Sequence, residues 1–234
     1  MITKKIILST ILFFFISSFS LEERTRFSKS FKNEINKAII FIDDKKEEIL
    51  YICNEYEVDP ELFISIIFPE LIRYNSFQDK IEVSANKLFY TNWGAEYSDF
   101  SIGILQMKPS FVERLSNSKK ISNYDDLFIY PEDCSKEEVR SIIVDRLQSV
   151  TYQLKYLAYF ISLIDSSYNI QFKNNYEKIR YYATAYNGGA WYNQNNNNKI
   201  SKKKTYPYGG NVNKIKQYSY SDISLYYYQD ILNK

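Results

Sequence analysis

Apolar residues recur every three or four positions along most of the chain, which is the period of an amphipathic helix. Residues 21–45 show this period. A stronger stretch begins at Asp59 and Pro60, where the aspartate provides an N-cap and the proline suits the first helical position. We expect that helix to run from Pro60 to about Tyr74.

The second half of the chain shows the same helical pattern. Ser135 and Glu138 form a capping box ahead of a long helix predicted to reach Ile161, and another helix is predicted to end at Gly188 and Gly189. The remaining expectations are short helices at 103–106 and 110–115, a last helix from about Val212, and irregular chain at 75–102 and 193–204. No alternating strand pattern or internal repeat stands out. The sequence therefore predicts a mainly α fold in one domain.

The first twenty residues have the features of a secretory signal peptide. Lys4 and Lys5 precede an apolar stretch at 6–16, which is short for a bilayer, and Ser18 and Ser20 form a small-x-small cleavage site. We expect an exported protein, periplasmic or secreted, with no membrane-spanning segment after cleavage. An uncleaved membrane anchor is the alternative.

Composition and charge narrow the chemistry. The 234 residues include 23 tyrosines and no histidine, so histidine bases, Ser-His or Cys-His nucleophile pairs and histidine-ligated zinc are excluded. After signal removal the basic and acidic residues balance at 28 each, which does not favour a nucleic-acid partner. The sequence shows no carboxylate cluster at metal-ligand spacing, so no metal or other cofactor is expected. Export permits a Cys53–Cys134 disulfide, and two free thiols are equally compatible with the sequence.

Glu70 is the first candidate for catalysis. Phe63, Ile66, Glu70 and Tyr74 share one face of the helix that begins at Pro60, and that face is otherwise apolar. Burial there would raise the pKa of the carboxyl, which is what a general acid requires at neutral pH. The alternative is a glutamate at the edge of the face that reaches water. Pro69 removes a helical amide and is expected to kink the helix beside Glu70.

Two further segments carry polar groups in unusual contexts. Residues 103–110 read Gly-Ile-Leu-Gln-Met-Lys-Pro-Ser, in which Gln106 offers a donor and an acceptor next to a glycine. Residues 185–189 read Ala-Tyr-Asn-Gly-Gly and place Tyr186 and Asn187 at a helix end. Each segment alone is also compatible with an ordinary turn or helix cap.

Together and in this order, these segments resemble the soluble lytic transglycosylase (SLT) family, whose domains cleave peptidoglycan. The family pattern is a helix-borne catalytic Glu, then Gly-Leu-Met-Gln-Ile-x-Pro-Ser, then Ala-Tyr-Asn-x-Gly. The residues that match are Glu70, 103–110 and 185–189, and residues 211–215 resemble the family's following segment. The resemblance implies a lysozyme-like single domain of packed helices with long loops. It divides the chain into a signal peptide at 1–20, a helical extension at 21–54 and a transglycosylase domain at 55–234.

The resemblance also implies the chemistry. Glu70 would be the single catalytic acid and base, and the substrate-binding residues would be Gln106, Met107, Tyr186 and Asn187, with Tyr186 orienting Glu70. The partner would be a peptidoglycan glycan strand, the cofactor none, and the product a 1,6-anhydro sugar. The sequence does not specify an oligomeric state.

Two alternatives remain at this point. Pro69 and Leu71 flank Glu70, and Leu71 stands where the family usually has Ser, so a non-catalytic peptidoglycan-binding or scaffold protein is one alternative. A hydrolytic muramidase of the same fold is the other. It would need a second carboxylate, and the candidates are Asp79, Glu82, Glu96 and Asp99.

Overall fold

A computed structural model describes residues 19–118, 127–168, 170–189, 194–207 and 218–232. The chain is mainly α, as the sequence predicts. Over the described residues the β-type pairings are two isolated bridges, Ile102 with Met107 and Tyr206 with Tyr218. The helices are α1 (Leu21–Ser30), α2 (Lys32–Asp44), α3 (Lys46–Glu55), α4 (Pro60–Arg73), α5 (Ser76–Ala85), α6 (Pro109–Ser118), α7 (Lys136–Leu147), α8 (Val150–Ser167), α9 (Asn175–Gly188), α10 (Gln194–Ile200) and α11 (Tyr220–Tyr226).

The chain forms two compact units, residues 1–32 and 33–234. In the first unit, α1 begins after Ser20, whose hydroxyl accepts a hydrogen bond from the Glu23 amide at 3.2 Å while the Glu23 carboxylate accepts one from the Ser20 amide at 3.0 Å. This pair is a complete capping box. Most of the predicted signal peptide, residues 1–18, lies outside the described residues.

Helix α4 is the centre of the second unit. It begins as predicted, with the Asp59 carboxylate accepting a hydrogen bond from the Glu61 amide at 2.9 Å and Pro60 in the first turn. Every residue from Leu62 to Ile72 except Ile64 is buried, because α8, α9 and α11 pack around the helix. A helix that is covered on all sides fixes the position of any side chain it carries.

The long helix predicted from Ser135 to Ile161 is two helices, α7 and α8. At the end of α7 the amides of Gln148 and Ser149 donate to carbonyls three residues back, at Asp145 and Arg146, instead of four. Ser149 then adopts an extended backbone conformation that starts α8. The apolar period continues across this break, so the hydrophobic pattern could not reveal it.

The prediction of irregular chain at 75–102 is wrong for its first part. Helix α5 continues through a π-helical turn at Asn86–Tyr90 and a last turn at Thr91–Trp93. The pattern is inverted in the second half of this helix: the side chain of Asn86 is fully buried, whereas Leu88 and Trp93 are exposed. A helix that buries an amide and exposes apolar residues does not show the usual signal.

Other departures are local. Residues 194–200, predicted as part of a loop, form α10. This short segment is rich in asparagine, which has a low helix propensity, and the buried Asn197 side-chain amide ties it to α9 by donating to the Tyr181 carbonyl at 3.0 Å. The expected helix start near Val212 lies outside the described residues, and α11 begins at Tyr220. Cys53 and Cys134 are both free thiols. In the described part of the chain, no helix combines the length and apolar character needed to cross a bilayer.

Candidate active site

All five residues predicted for the site line one cavity of about 290 Å³. Helix α4 contributes Glu70, the segment before α6 contributes Gln106 and Met107, and the last turn of α9 contributes Tyr186 and Asn187. Three segments separated by up to 117 positions therefore meet in one place. The family resemblance implied that residues from these three segments form one site. The cavity wall also includes Arg73, Asp99, Ser101, Lys108, Ser110, Phe111, Arg114, Gly188 and Gly189.

Glu70 lies at the base of the cavity and is 2% exposed. The alternative of a glutamate that reaches bulk water is therefore wrong. Burial raises the pKa of this carboxyl, and the positive charge of Arg73 partly opposes that rise. The direction matches what the apolar helix face predicted.

Arg73, one turn along α4, forms an ion pair with Glu70. Its Nε donates to Oε2 of Glu70 and its Nη2 donates to Oε1 at 3.0 Å, so both carboxylate oxygens are engaged. The Arg73 side chain is 30% exposed and lines the same cavity as Glu70, so Arg73 is the more accessible member of the pair. Burial favours a protonated Glu70 and the bidentate contact favours an ionised one, and the site holds these two tendencies in opposition.

Two tyrosines from the C-terminal part of the chain hold the Glu70 turn of α4. The Tyr206 hydroxyl donates to the Pro69 carbonyl at 2.7 Å, and the Tyr220 hydroxyl donates to the Ile66 carbonyl at 2.9 Å. The Tyr220 hydroxyl also interacts with the Glu70 carboxyl. These contacts add side-chain hydrogen bonds to main-chain carbonyls in the turn that contains the helical proline, and so tie that turn to the C-terminal part of the chain.

Gln106 is in a tight turn and not in the short helix predicted for 103–106. Gly103 and Gln106 both have positive φ, 72° and 51°, and the backbones of Ile102 and Met107 pair across the turn at 2.8 and 3.0 Å. The side-chain amide of Gln106 donates to the Gly103 carbonyl at 2.9 Å. Residues in the left-handed region cannot continue a helix, which explains the difference from the prediction.

The buried side chain of Gln153 supports this turn from beneath. Its carbonyl oxygen accepts a hydrogen bond from the Leu105 amide at 2.7 Å, and its amide donates to the Leu147 carbonyl. A Cβ on Gly103 would lie 1.6 Å from the Gln153 amide nitrogen. A glycine is therefore required at position 103 by both its φ and its neighbour.

Tyr186 does not donate a hydrogen bond to Glu70, contrary to the orienting role that the resemblance implied. Its hydroxyl donates to the Leu105 carbonyl at 2.6 Å, and a phenol has a single proton to donate. Its ring packs against Phe111 and Phe160, with centroids 5.7 and 6.0 Å away. Tyr186 thus links the end of α9 to the Gln106 turn. Burial and the charge of Glu70 raise its pKa, so the phenol stays protonated.

Of the four alternative carboxylates, Asp99 lines the cavity. Its two oxygens accept hydrogen bonds from the amide and the hydroxyl of Ser110, at 3.0 and 2.7 Å, and Lys108 lies 3.6 Å away. The other three are not among the residues that line this cavity. Asp79 accepts from the Gly103 amide at 2.6 Å, Glu82 accepts from Gln78 at 2.7 Å, and Glu96 is exposed.

Sequence reasoning missed three residues that shape this site, Arg73, Tyr206 and Tyr220. Arg73 could have been found from the sequence, because a cation three residues after a carboxylate on a helix commonly pairs with it. Asp99 was named without a position in space. Tyr206 and Tyr220 carry no local signal, since their contacts with α4 span 137 and 154 positions of the chain.

Comparison with models of known protein families, with curated proteins and with solved structures finds no match for this chain.

Proposed function

We propose that this chain is a peptidoglycan lytic transglycosylase that cleaves the bond between N-acetylmuramic acid and N-acetylglucosamine and forms a 1,6-anhydro product. The observation that carries the proposal is the position of Glu70: a carboxyl 2% exposed at the base of a cavity that Gln106, Met107, Tyr186 and Asn187 also line. The family resemblance named these residues from the sequence. Burial raises the pKa of the Glu70 carboxyl among them, which supports a role in proton donation.

The first step uses Glu70 as an acid. The protonated carboxyl donates to the oxygen that leaves with N-acetylglucosamine, the bond from this oxygen to C1 of the muramic acid breaks, and the substrate's acetamido oxygen stabilises the positive C1. Arg73 pairs with ionised Glu70, so this step requires the guanidinium to move away. Arg73 is part of the cavity wall and is partly exposed, so in this proposal a bound substrate competes with Glu70 for the guanidinium.

The second step uses the same carboxyl as a base. Ionised Glu70 takes the proton of the substrate's own C6 hydroxyl, the oxygen bonds to C1, and the 1,6-anhydro ring closes. The proton count balances, because Glu70 loses one proton and recovers one. Arg73 favours the ionised carboxylate, so its return to Glu70 after proton donation would stabilise the carboxylate that the first step leaves.

The surrounding residues bind the glycan in this proposal. Gln106 and Asn187 line the cavity from two different segments, and their side-chain amides are suited to sugar hydroxyls and acetamido groups. Met107 lines the same cavity, with its backbone amide and carbonyl paired to Ile102. Tyr186 keeps the two segments together through the Leu105 carbonyl. The expectation of export to the periplasm or the medium fits such a substrate and remains part of the proposal.

Turnover of purified sacculi by the wild type and by Glu70→Gln tests the proposal. The amide is nearly isosteric but cannot exchange the proton, so release of muropeptides should fall ~10²–10⁴-fold. Glu82→Gln, a substitution of the same type that is not among the residues lining the cavity, serves as the matched control and should keep full activity. The mass of the released fragments gives the outcome, since anhydro products are lighter by one water than reducing-end products.

A hydrolytic muramidase is the second candidate, because Asp99 shares the cavity with Glu70. In that reaction Asp99 would activate water, the products would carry reducing ends, and Asp99→Asn would abolish their release. The lytic proposal expects anhydro ends and measurable turnover in Asp99→Asn, since both oxygens of Asp99 are already engaged by Ser110.

A non-catalytic glycan-binding protein is the third candidate, and the Glu70–Arg73 ion pair is the observation that favours it. A buried bidentate pair can be purely structural. This reading expects no fragments from a folded wild type, together with sacculus binding that Glu70→Gln leaves unchanged.

A further inference from the structure

The end of helix α5 presents an aromatic surface to solvent. Phe89, Trp93 and Tyr97 are 42%, 53% and 68% exposed, and their rings touch in sequence, with centroids 5.9 Å apart for each neighbouring pair. We call these three residues the aromatic row. Leu88 and Phe100 beside it are also exposed. A soluble protein rarely shows so many large apolar side chains together unless the surface binds something.

The backbone that carries the aromatic row is held rigidly from within. The buried Asn86 amide accepts hydrogen bonds from the Ser98 hydroxyl at 2.6 Å and the Phe100 amide at 3.2 Å, and donates to the Phe100 carbonyl at 2.7 Å. Three of the four hydrogen-bonding positions of this one side chain are thus used to fix the loop after Trp93. A rigid support reduces the entropy lost when a ligand binds to the exposed rings.

A buried tyrosine fixes the other side of the same segment. Tyr90, fully buried, donates from its hydroxyl to the Glu113 carboxylate on α6 at 2.9 Å. Its carbonyl accepts the Gly94 amide at 2.7 Å, and Gly94, with φ 89°, ends the helix directly after Trp93. The segment therefore buries Asn86 and Tyr90 and exposes the aromatic row. Exposed apolar side chains that lie together typically mark a binding surface.

The aromatic row continues into the candidate active site along the chain. Tyr97 is followed by Asp99 and Ser101, which line the cavity, and the exposed Phe100 stands between those two. The row and the cavity wall are thus joined by a segment of a few residues, and buried Ser98, hydrogen-bonded to Asn86 at 2.6 Å, fixes that segment.

We propose that the aromatic row is a stacking platform for the sugar rings of a glycan strand whose adjoining sugars occupy the cavity. One face of a pyranose ring is covered by C–H groups, which pack on the electron-rich face of an aromatic ring, while its hydroxyls stay in water. The identity of the glycan as peptidoglycan rests on the proposed function. The binding of sugar faces by the row does not depend on cleavage.

The charges around the row favour a glycan over a lipid surface. Lys87 is paired with Asp145 at 3.1 Å, Lys108 lies 3.6 Å from Asp99, and the remaining charges next to the row are Glu96 and Arg140, whose guanidinium lies against the Asn92 carbonyl at 3.5 Å. Anionic lipid headgroups attract clusters of basic residues, whereas the positive and negative charges beside the row balance. A neutral polysaccharide is compatible with these charges.

The test measures binding without cleavage. The full chain carrying Glu70→Gln is sedimented with insoluble glycan strands from which the peptides have been removed, and the dissociation constant is compared after Trp93→Ala or Tyr97→Ala. Tyr51→Ala on α3 is the matched control, because Tyr51 is 67% exposed, almost the same as Tyr97. Trp93→Phe keeps an aromatic ring. Thermal unfolding of every variant confirms that the fold is retained.

We expect each alanine variant in the row to bind roughly tenfold more weakly, with Tyr51→Ala unchanged and Trp93→Phe close to the parent. Three results overturn the platform. In the first, the parent does not bind the glycan. In the second, the row variants bind the glycan as tightly as the parent does. In the third, sedimentation with phosphatidylglycerol vesicles shows that the row variants lose binding to vesicles and keep binding to the glycan. A dimer that becomes monomeric in Trp93→Ala, with glycan binding unchanged, assigns the row to a second copy instead.

This experiment and the turnover assay fail independently. If the wild type releases anhydro fragments and the row variants bind the glycan normally, the platform is wrong and the proposed function stands. If the wild type releases no fragments and the row variants lose binding, the cleavage proposal is wrong and the platform stands.

Discussion

At the base of the cavity, a carboxyl and a guanidinium share two hydrogen bonds, and they differ in their access to water. Glu70 is nearly inaccessible while Arg73 is about one-third exposed. Removing one member of such a pair leaves a charge without its partner, which costs about 3–5 kcal/mol when the charge is fully buried. The exposure of Arg73 reduces that penalty for Glu70→Gln, so this variant is a usable test of catalysis.

Arg73→Met tests whether Glu70 is the acid. An acid must be protonated to act, so activity falls as the pH rises through the pKa of Glu70. Burial raises that pKa and Arg73 partly opposes the rise, so removing Arg73 raises the pKa further. The alkaline limb of kcat/KM against pH should therefore move to higher pH.

The control for this prediction is Arg114→Met, which removes another cation from the cavity wall. The pH profile of kcat/KM should keep its position in that variant, whatever happens to the rate. A limb that stays in place or moves to lower pH in Arg73→Met would show that another group donates the proton.

At the level of elements, the sequence predicts what depends on local chemistry. Helix α4 starts at Pro60 because its cap is written in two adjacent residues, and α9 ends at Gly189, which has φ 64°. The convergence of Glu70, Gln106 and Tyr186 was also predicted, because a family motif carries spatial information that periodicity does not.

The sequence could not predict elements whose stability comes from distant contacts. The turn at Gln106 depends on Gln153, whose side-chain oxygen accepts a hydrogen bond from the Leu105 amide 48 positions away. Helix α10 depends on one buried asparagine, and the π-helical turn after α5 hides its anchor in another, Asn86. A polar residue at such a position signals a loop when only the local pattern is considered.

Gly103→Ala tests the importance of the Gln106 turn. A residue with a Cβ pays about 1–2 kcal/mol for the left-handed backbone. The new methyl group would also displace Gln153 from the Leu105 amide and the Leu147 carbonyl, which costs a further amount of about 1–3 kcal/mol. The free energy of unfolding from urea denaturation should fall by the sum of both.

Gly189→Ala is the matched control for the backbone cost. Gly189 also has a positive φ, 64°, but a Cβ there would meet a flexible neighbour, the Arg114 guanidinium, at 3.2 Å. Its loss should be limited to about 1–2 kcal/mol. Equal losses in the two variants would contradict the role assigned to Gln153.

Across the whole molecule, the contacts that tyrosines make give a structural reason for the high tyrosine content of the chain. Tyrosines 186, 206 and 220 each place a phenol against a main-chain carbonyl far away in sequence, at Leu105, Pro69 and Ile66. A tyrosine fills space like phenylalanine and also satisfies a buried acceptor, so it suits connections between helices. The high aromatic content is therefore partly a means of holding the cavity together.

Export is a prediction about the whole chain. Protein recovered from the periplasm or the medium should begin near Leu21, and intact-mass spectrometry measures this directly. Retention of residues 1–20 would instead support the membrane-anchor alternative. A Ser20→Pro variant, which alters the residue before the expected cut, should slow the processing.

Removal of the leader would also change helix α1 chemically. Ser20 is the residue whose hydroxyl and amide complete the capping box with Glu23, and a cut after Ser20 takes both away. Loss of such a cap typically costs a helix about 0.5–2 kcal/mol. The new α-ammonium of Leu21 would then lie at the positive end of the helix dipole, with Glu22 and Glu23 as its nearest counter-charges. The precursor would thus carry the better-ordered first helix, and maturation would loosen it.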